Sequence, residues 1–215
     1  MKIITMKDLI PKEDKRLRQK SIEVELPLSE ENLELLQGMA AFVMQSQTKE
    51  VDDNGDKYTS AVGLSAVQIG INKRMFVIAM PDDEGDLFVY AVVNPVIEER
   101  SKRMIALTDG ESCLSLPNRE PEKVFRHEKI RWTGYLINLE DGTYEYKKMS
   151  RMEGYLGIVF QHEYDHLQGV LYIDKSERIP ANSRGFAEPM MDGYVDTSGG
   201  VLRNPVSPTD GGHLD

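Results

Sequence analysis

The stretch EGYLGIVFQHEYDHLQG, residues 153–169, decides how this chain is read. Its apolar residues Leu156, Val159, Phe160 and Leu167 recur at helical spacing, with Glu163 on the same side. Gly169 suits the left-handed residue that closes a helix. The spacing therefore predicts a helix over 153–168. Inside it lies His162-Glu163-Tyr164-Asp165-His166. Residues four apart on a helix are neighbours, so both imidazoles project from one face. Two imidazoles so placed can grip one divalent cation, with the carboxylate beside them reaching its water. The plainer alternative is a charged helix face carrying two ordinary histidines. Against it, the chain has only four histidines, and two of them sit here on a periodic helix.

A cation site needs a third protein ligand. Downstream, the chain offers Asp174 and Glu177, then His213 close to its end. Upstream it offers its single cysteine, Cys113, in the small-residue segment ESCLSLP, residues 111–117. A lone cysteine excludes an internal disulfide framework and leaves filler, nucleophile or ligand as its roles. Thiolate is a strong ligand for late transition metals, which favours Cys113 as the third donor. Three protein ligands leave a coordination position for water, as in catalytic sites, whereas structural sites close with four. His127, the remaining candidate for closure, lies between Arg126 and Glu128 in a polar stretch and reads as a solvated histidine.

Working outward, strands dominate the middle of the chain. Residues 75–80 and 88–93 are apolar and β-branched or aromatic, separated by the turn-rich PDDEGD. Residues 96–106 read as another strand pair, and 130–138 with 144–149 flank Asp141-Gly142 as a hairpin. Before them, Ser29 reads as the N-cap of a long helix over 29–47, with Glu30 and Glu31 in its first turn. Residues 50–56 form a polar loop with an Asn-Gly turn, and 1–28 are irregular. The expected fold is α+β: mostly antiparallel sheets packed around the helix bearing His162 and His166, with one long N-terminal helix. A catalytic domain over 1–184 is expected, followed by an acidic Gly/Pro-rich tail over 185–215.

Composition narrows the function classes. The 215 residues are 40% hydrophobic and 29% charged, ordinary for a globular protein. A net charge of −10 argues against direct DNA binding, since phosphate contacts need clustered lysine and arginine. No run is long and apolar enough to span a membrane, and the first twenty residues lack a secretory h-region, so a cytoplasmic location is expected. Gly63-Leu64-Ser65-Ala66-Val67 lacks the last glycine of a nucleophile elbow, and no Gly-Lys pair provides a phosphate-binding loop.

Three segments together resemble the peptide deformylases: AVGLSAVQ (61–68) against GxGLAAxQ, ESCLS (111–115) against EGCLS, and QHEYDHL (161–167) against QHExDHL. They occur in the family's order. The loop ahead of AVGLSAVQ and the longer region ahead of ESCLS are similar to the type II form of Gram-positive bacteria and mollicutes. Three small replacements depart from the pattern: Ala61 and Ser112 stand for glycine, and Ser65 for alanine. A serine at 112 would be strained if that position required a positive φ.

The resemblance implies that Cys113, His162 and His166 bind one divalent metal, ferrous iron in the cell, with nickel, cobalt or zinc able to substitute. It implies that Glu163 is the general acid/base, and that the Gln68 amide and the Leu114 N–H face the oxyanion. It also implies that Val62 and Gly63 pair with the substrate backbone, and that Tyr155, Ile158 and Val159 line the pocket for the first methionine. The activity implied is hydrolysis of the formyl group from N-formylmethionyl nascent peptides, with formate released and a transient contact with the ribosome. A cation can lower the pKa of water to about 7, which suits amide hydrolysis at neutral pH. Two rivals stand beside it. A zincin-type protease would take its third ligand downstream and make Cys113 dispensable. A structural metal-binding module would close its coordination sphere.

Overall fold

The computed structural model describes residues 2–81 and 87–176. The chain is α+β, with helices α1 (Glu30–Thr48) and α2 (Gly154–Leu167) and strands β1 (Gly63–Ser65), β2 (Met75–Pro81), β3 (Leu87–Arg100), β4 (Met104–Ile105), β5 (Arg126–His127), β6 (Lys129–Ile137) and β7 (Tyr144–Glu153). Every strand pair is antiparallel. Five strands form one sheet in the order β1-β2-β3-β6-β7, while β4 and β5 pair separately.

Both helices start and stop where local chemistry tells them to. Ser29 caps α1, accepting from the Asn32 amide, and Glu30 and Glu31 occupy its first turn. Gly169 takes φ 73° just past α2 and sends its N–H back to the His166 carbonyl.

The apolar run of β2 is continuous because both faces of that strand are covered. Met75, Val77 and Ala79 join Leu36, Met39, Ala40 and Val43 of α1 in one core. Phe76, Ile78 and Met80 join Trp132 of β6 and Leu156, Val159 and Phe160 of α2 in another. There Phe160 meets Phe76 edge-on at 5.1 Å between ring centroids and lies 5.0 Å from Trp132. Odd and even residues of one strand thus hold different helices on opposite faces of the sheet.

The expected strand pair over 96–106 does not form. Residues 96–100 continue β3, whose ladder to β6 shifts register between Val93 and Val96. Asn94 absorbs the irregularity with φ 50°, and its side chain accepts from the Val24 N–H and donates to the Val24 carbonyl. Arg74 donates to the Pro95 carbonyl exposed by the same bulge. β4 then pairs with β5, across the site segment, instead of folding back on β3. The expected hairpin of β6 and β7 does form, register Ile137↔Tyr144. Its loop is longer than a two-residue turn and is stapled by Asn138 and Asp141 side chains accepting from the Glu140 and Thr143 amides. The segment 82–86 and the expected tail over 185–215, including His213, lie outside the described residues.

Candidate metal centre and active site

α2 presents His162 and His166 one turn apart, with ring centroids separated by 5.1 Å. The segment after the isolated bridge Glu111↔Glu122 brings Cys113 against them, turned inward where the Leu116 N–H bonds the Cys113 carbonyl. One ligand atom from each of Cys113, His162 and His166 lies within 4.8 Å of the other two, and Cys113 Sγ is 3.3 Å from His166 Nε2. Burial alone would raise the thiol's pKa, but the His166 and His162 imidazoles outweigh it and hold Cys113 well below the ordinary thiol range. Thiolate plus two imidazoles is a donor set that suits a late transition-metal dication. Of the downstream candidates, Asp174 bonds Arg18 and the Leu171 amide, while Glu177 and His213 lie outside the described residues.

Behind His162 runs a buried ionic relay that the sequence motifs did not assign. His162 Nδ1 is 2.8 Å from Glu111 Oε2, which leaves Nε2 as the atom free to ligate. Arg126 grips both Glu111 oxygens, at 2.5 and 2.7 Å, and reaches Asp165 at 2.8 Å. Lys175, at the exposed end of the relay, reaches the Asp165 carboxylate at 2.7 Å. Burial would raise the Glu111 carboxyl, but Arg126 and then His162 outweigh it and hold its pKa at about 2. Glu111 and Asp165 both stand inside motif segments, so the signal was present; Arg126 carried none. Its neighbour His127 is not simply solvated as expected. It is half-buried, its Nδ1 lies 2.7 Å from the Ser101 carbonyl, and its backbone exchanges two hydrogen bonds with Gln161, docking α2 on β5.

The remaining site residues frame one cleft of about 340 Å³. Val62 and Gly63 line one wall at the edge strand β1, whose only ladder partner among the described residues is β2. Gly110, Ser112 and Leu114 line the facing wall, and Tyr155, Ile158 and Val159 of α2 form an apolar recess. Gln68 is buried; its Oε1 accepts from the Ser65 amide at 2.8 Å, turning its Nε2 to 3.5 Å from both Cys113 Sγ and Ser115 Oγ. The Leu114 N–H donates to no described residue. Glu163, 3% exposed, lies beside the donors, and burial raises its carboxyl pKa against the opposing pull of His162, His166 and Ser65. Ser112 does not adopt a positive φ and its side chain is exposed, so the glycine-to-serine departure carries no strain.

Known proteins resemble this chain over most of its length. Residues 6–182 match the model of the polypeptide deformylase family. Peptide deformylase 2 of Geobacillus stearothermophilus is 38% identical over 175 residues, spanning 80% of this chain and 90% of that protein. The crystal structure of a probable peptide deformylase from Synechococcus phage S-SSM7 superposes with a TM-score of 0.61 at 31% identity, over 78% of this chain and 97% of that one. The peptide deformylase from Thermus thermophilus gives 0.59 at 32% identity, over 78% and 84%. A cysteine and two histidines converging beside a buried glutamate, on a chain that matches over nearly all its described length, place this protein in the polypeptide deformylase family.

Proposed function

We propose that this chain hydrolyses the formamide at the N-terminus of N-formylmethionyl nascent peptides, releasing formate. The observation that carries the reading is the meeting, in one cleft, of a three-donor cation set, a buried carboxylate and an open strand edge. Cys113, His162 and His166 hold one divalent cation, with the relay from Glu111 to Lys175 orienting His162. When bound, the cation supplies Lewis acidity. Ferrous iron is the proposed ion in the cell, with nickel, cobalt or zinc able to take its place, because a mixed thiolate and imidazole set accepts all four.

The chain's own residues do the rest. Glu163 takes the proton of the attacking water and delivers it to the leaving amine, a contribution of roughly 10²–10⁴ in rate. Gln68 Nε2 and the Leu114 N–H donate to the developing oxyanion; one such donor is worth about 10²–10³. Val62 and Gly63 pair with the peptide backbone as an added strand, using the free edge of β1. Tyr155, Ile158 and Val159 enclose the methionine side chain. In this reading α2 is the central helix of a catalytic domain over 1–184, the long helix α1 backs the sheet, and 185–215 is an acidic tail. The enzyme works in the cytoplasm, meeting the ribosome only transiently, since the tail has the wrong charge to bind RNA tightly.

Cys113 in the donor set speaks against a zincin, and a cleft open beside the donors speaks against a closed structural module. The deciding experiment is formate release from a formyl-methionyl peptide after reconstitution with iron, nickel, cobalt or zinc in turn. Turnover with at least one metal is expected, and its absence with all four would overturn the reading.

A further inference from the structure

Ser65 replaces an alanine of the family pattern, and the fold sets its hydroxyl on Glu163. Alternate residues of a strand share a face, so Gly63 and Ser65 of β1 point the same way, toward α2. At Gly63 the missing side chain leaves room for the carboxylate: a Cβ there would stand 2.5 Å from Glu163 Oε1. At Ser65, Oγ lies 2.6 Å from Glu163 Oε2 and 3.1 Å from the Glu163 backbone carbonyl. Both side chains are buried, Ser65 at 0% and Glu163 at 3% exposure. A hydroxyl has one proton, and the shorter contact, to the carboxylate, is the stronger claimant. Among the described residues no other group bonds that carboxylate: Oε2 is tethered, Oε1 lies against Gly63, and Glu163 lines the cleft.

We propose that Ser65 is a positioning residue for Glu163, tethering Oε2 so that Oε1 is presented to the reacting water and amine. The last torsion of a glutamate is broad and roughly two-fold, so the rotamer alone does not fix the carboxylate plane. A hydroxyl at hydrogen-bond distance does. Proton transfer is sensitive to such orientation, and displacements of about 1 Å can cost ~10²-fold. The Ser65 backbone N–H separately orients Gln68, and replacing the side chain leaves that bond in place.

The inference rests on reading Glu163 as the general acid/base, and the test keeps the two apart. Ser65→Ala, Glu163→Ala and the double variant are prepared with the same metal, and metal content, kcat, KM and Tm are measured. Ser65→Ala should bind a full complement of metal, lose roughly 3- to 30-fold in kcat, and keep KM within about twofold, as expected when an interaction used only in the transition state is weakened. Its effect on Tm should be present in the wild-type background and vanish in the Glu163→Ala background, because the contact partner is then gone. Wild-type kcat in Ser65→Ala would overturn the proposal. So would an equal Tm loss in both backgrounds, which would assign the hydroxyl to the Glu163 backbone carbonyl alone. If Glu163→Ala itself keeps turnover per bound metal, the acid/base reading fails and Ser65 falls with it; if it does not, the Ser65 results judge the tether alone.

Discussion

At the scale of single residues, His162 has its ring direction fixed by a partner, Glu111. Cys113→Ser replaces a soft, acidic donor with a hard and far less acidic one. Metal affinity should fall or metal preference change, as read by competition with a chelator; a serine chain that is fully loaded and fully active would return the zincin reading. Arg126 is a different kind of residue, outside the cleft lining yet buried between two carboxylates at 2% exposure. Arg126→Met leaves Glu111 and Asp165 without their shared cation. Breaking a buried pair from one side costs about 3–5 kcal/mol, and a loosened partner of a ligand costs ~10–100-fold in metal affinity. Denaturant unfolding and chelator competition should both register the change. A loss of stability with metal affinity intact would limit the relay to a structural role.

At the scale of elements, β1 is three residues long and does two jobs. Its inward face accommodates Glu163, and a Cβ added at Gly63 would meet Glu163 Oε1 at 2.5 Å. Gly63→Ala should therefore displace the carboxylate and lower kcat by at least about tenfold, with folding checked by Tm. Its free edge is proposed to take the substrate backbone. Methylating a peptide amide after the first methionine should lower kcat/KM by about tenfold if it removes one such hydrogen bond, taken at the upper end of ~1–1.5 kcal/mol. Equal turnover of the methylated and parent peptides would show that the edge is not used. The β4–β5 pair serves the site from the other side, carrying Arg126 into the relay and holding α2 through Gln161.

At the scale of the whole molecule, the family match ends at residue 182. Truncation before Gly185 should leave Tm and small-peptide deformylation largely intact, because the removed segment is acidic and lacks apolar periodicity. A drop of several degrees would show that it packs on the domain. Oxygen tests the metal and its cysteine together. Iron(II) and a coordinating thiolate are both oxidisable, whereas nickel is not readily oxidised under the same conditions. Iron-loaded protein should lose activity in air while nickel-loaded protein persists, followed as a time course with peroxide scavenged in a control. Equal lifetimes would remove oxygen sensitivity as a reason to favour iron.

The amino-acid sequence by itself determined both helices, the covered strand β2, the pair of histidines on one helix face and the single cysteine able to join them. Each of these is written in local periodicity, a cap, or the scarcity of a residue type. It did not determine the path of β3 through Asn94, because a continuation and a reversal read alike where an Asn-Pro pair interrupts an apolar run. Nor did it show Arg126 joining Glu111 to Asp165, or Ser65 reaching Glu163 across 98 residues of chain. A hydrogen bond has no sequence period. Its partners are chosen when burial strips both groups of water and leaves each only the neighbours that packing has brought within reach.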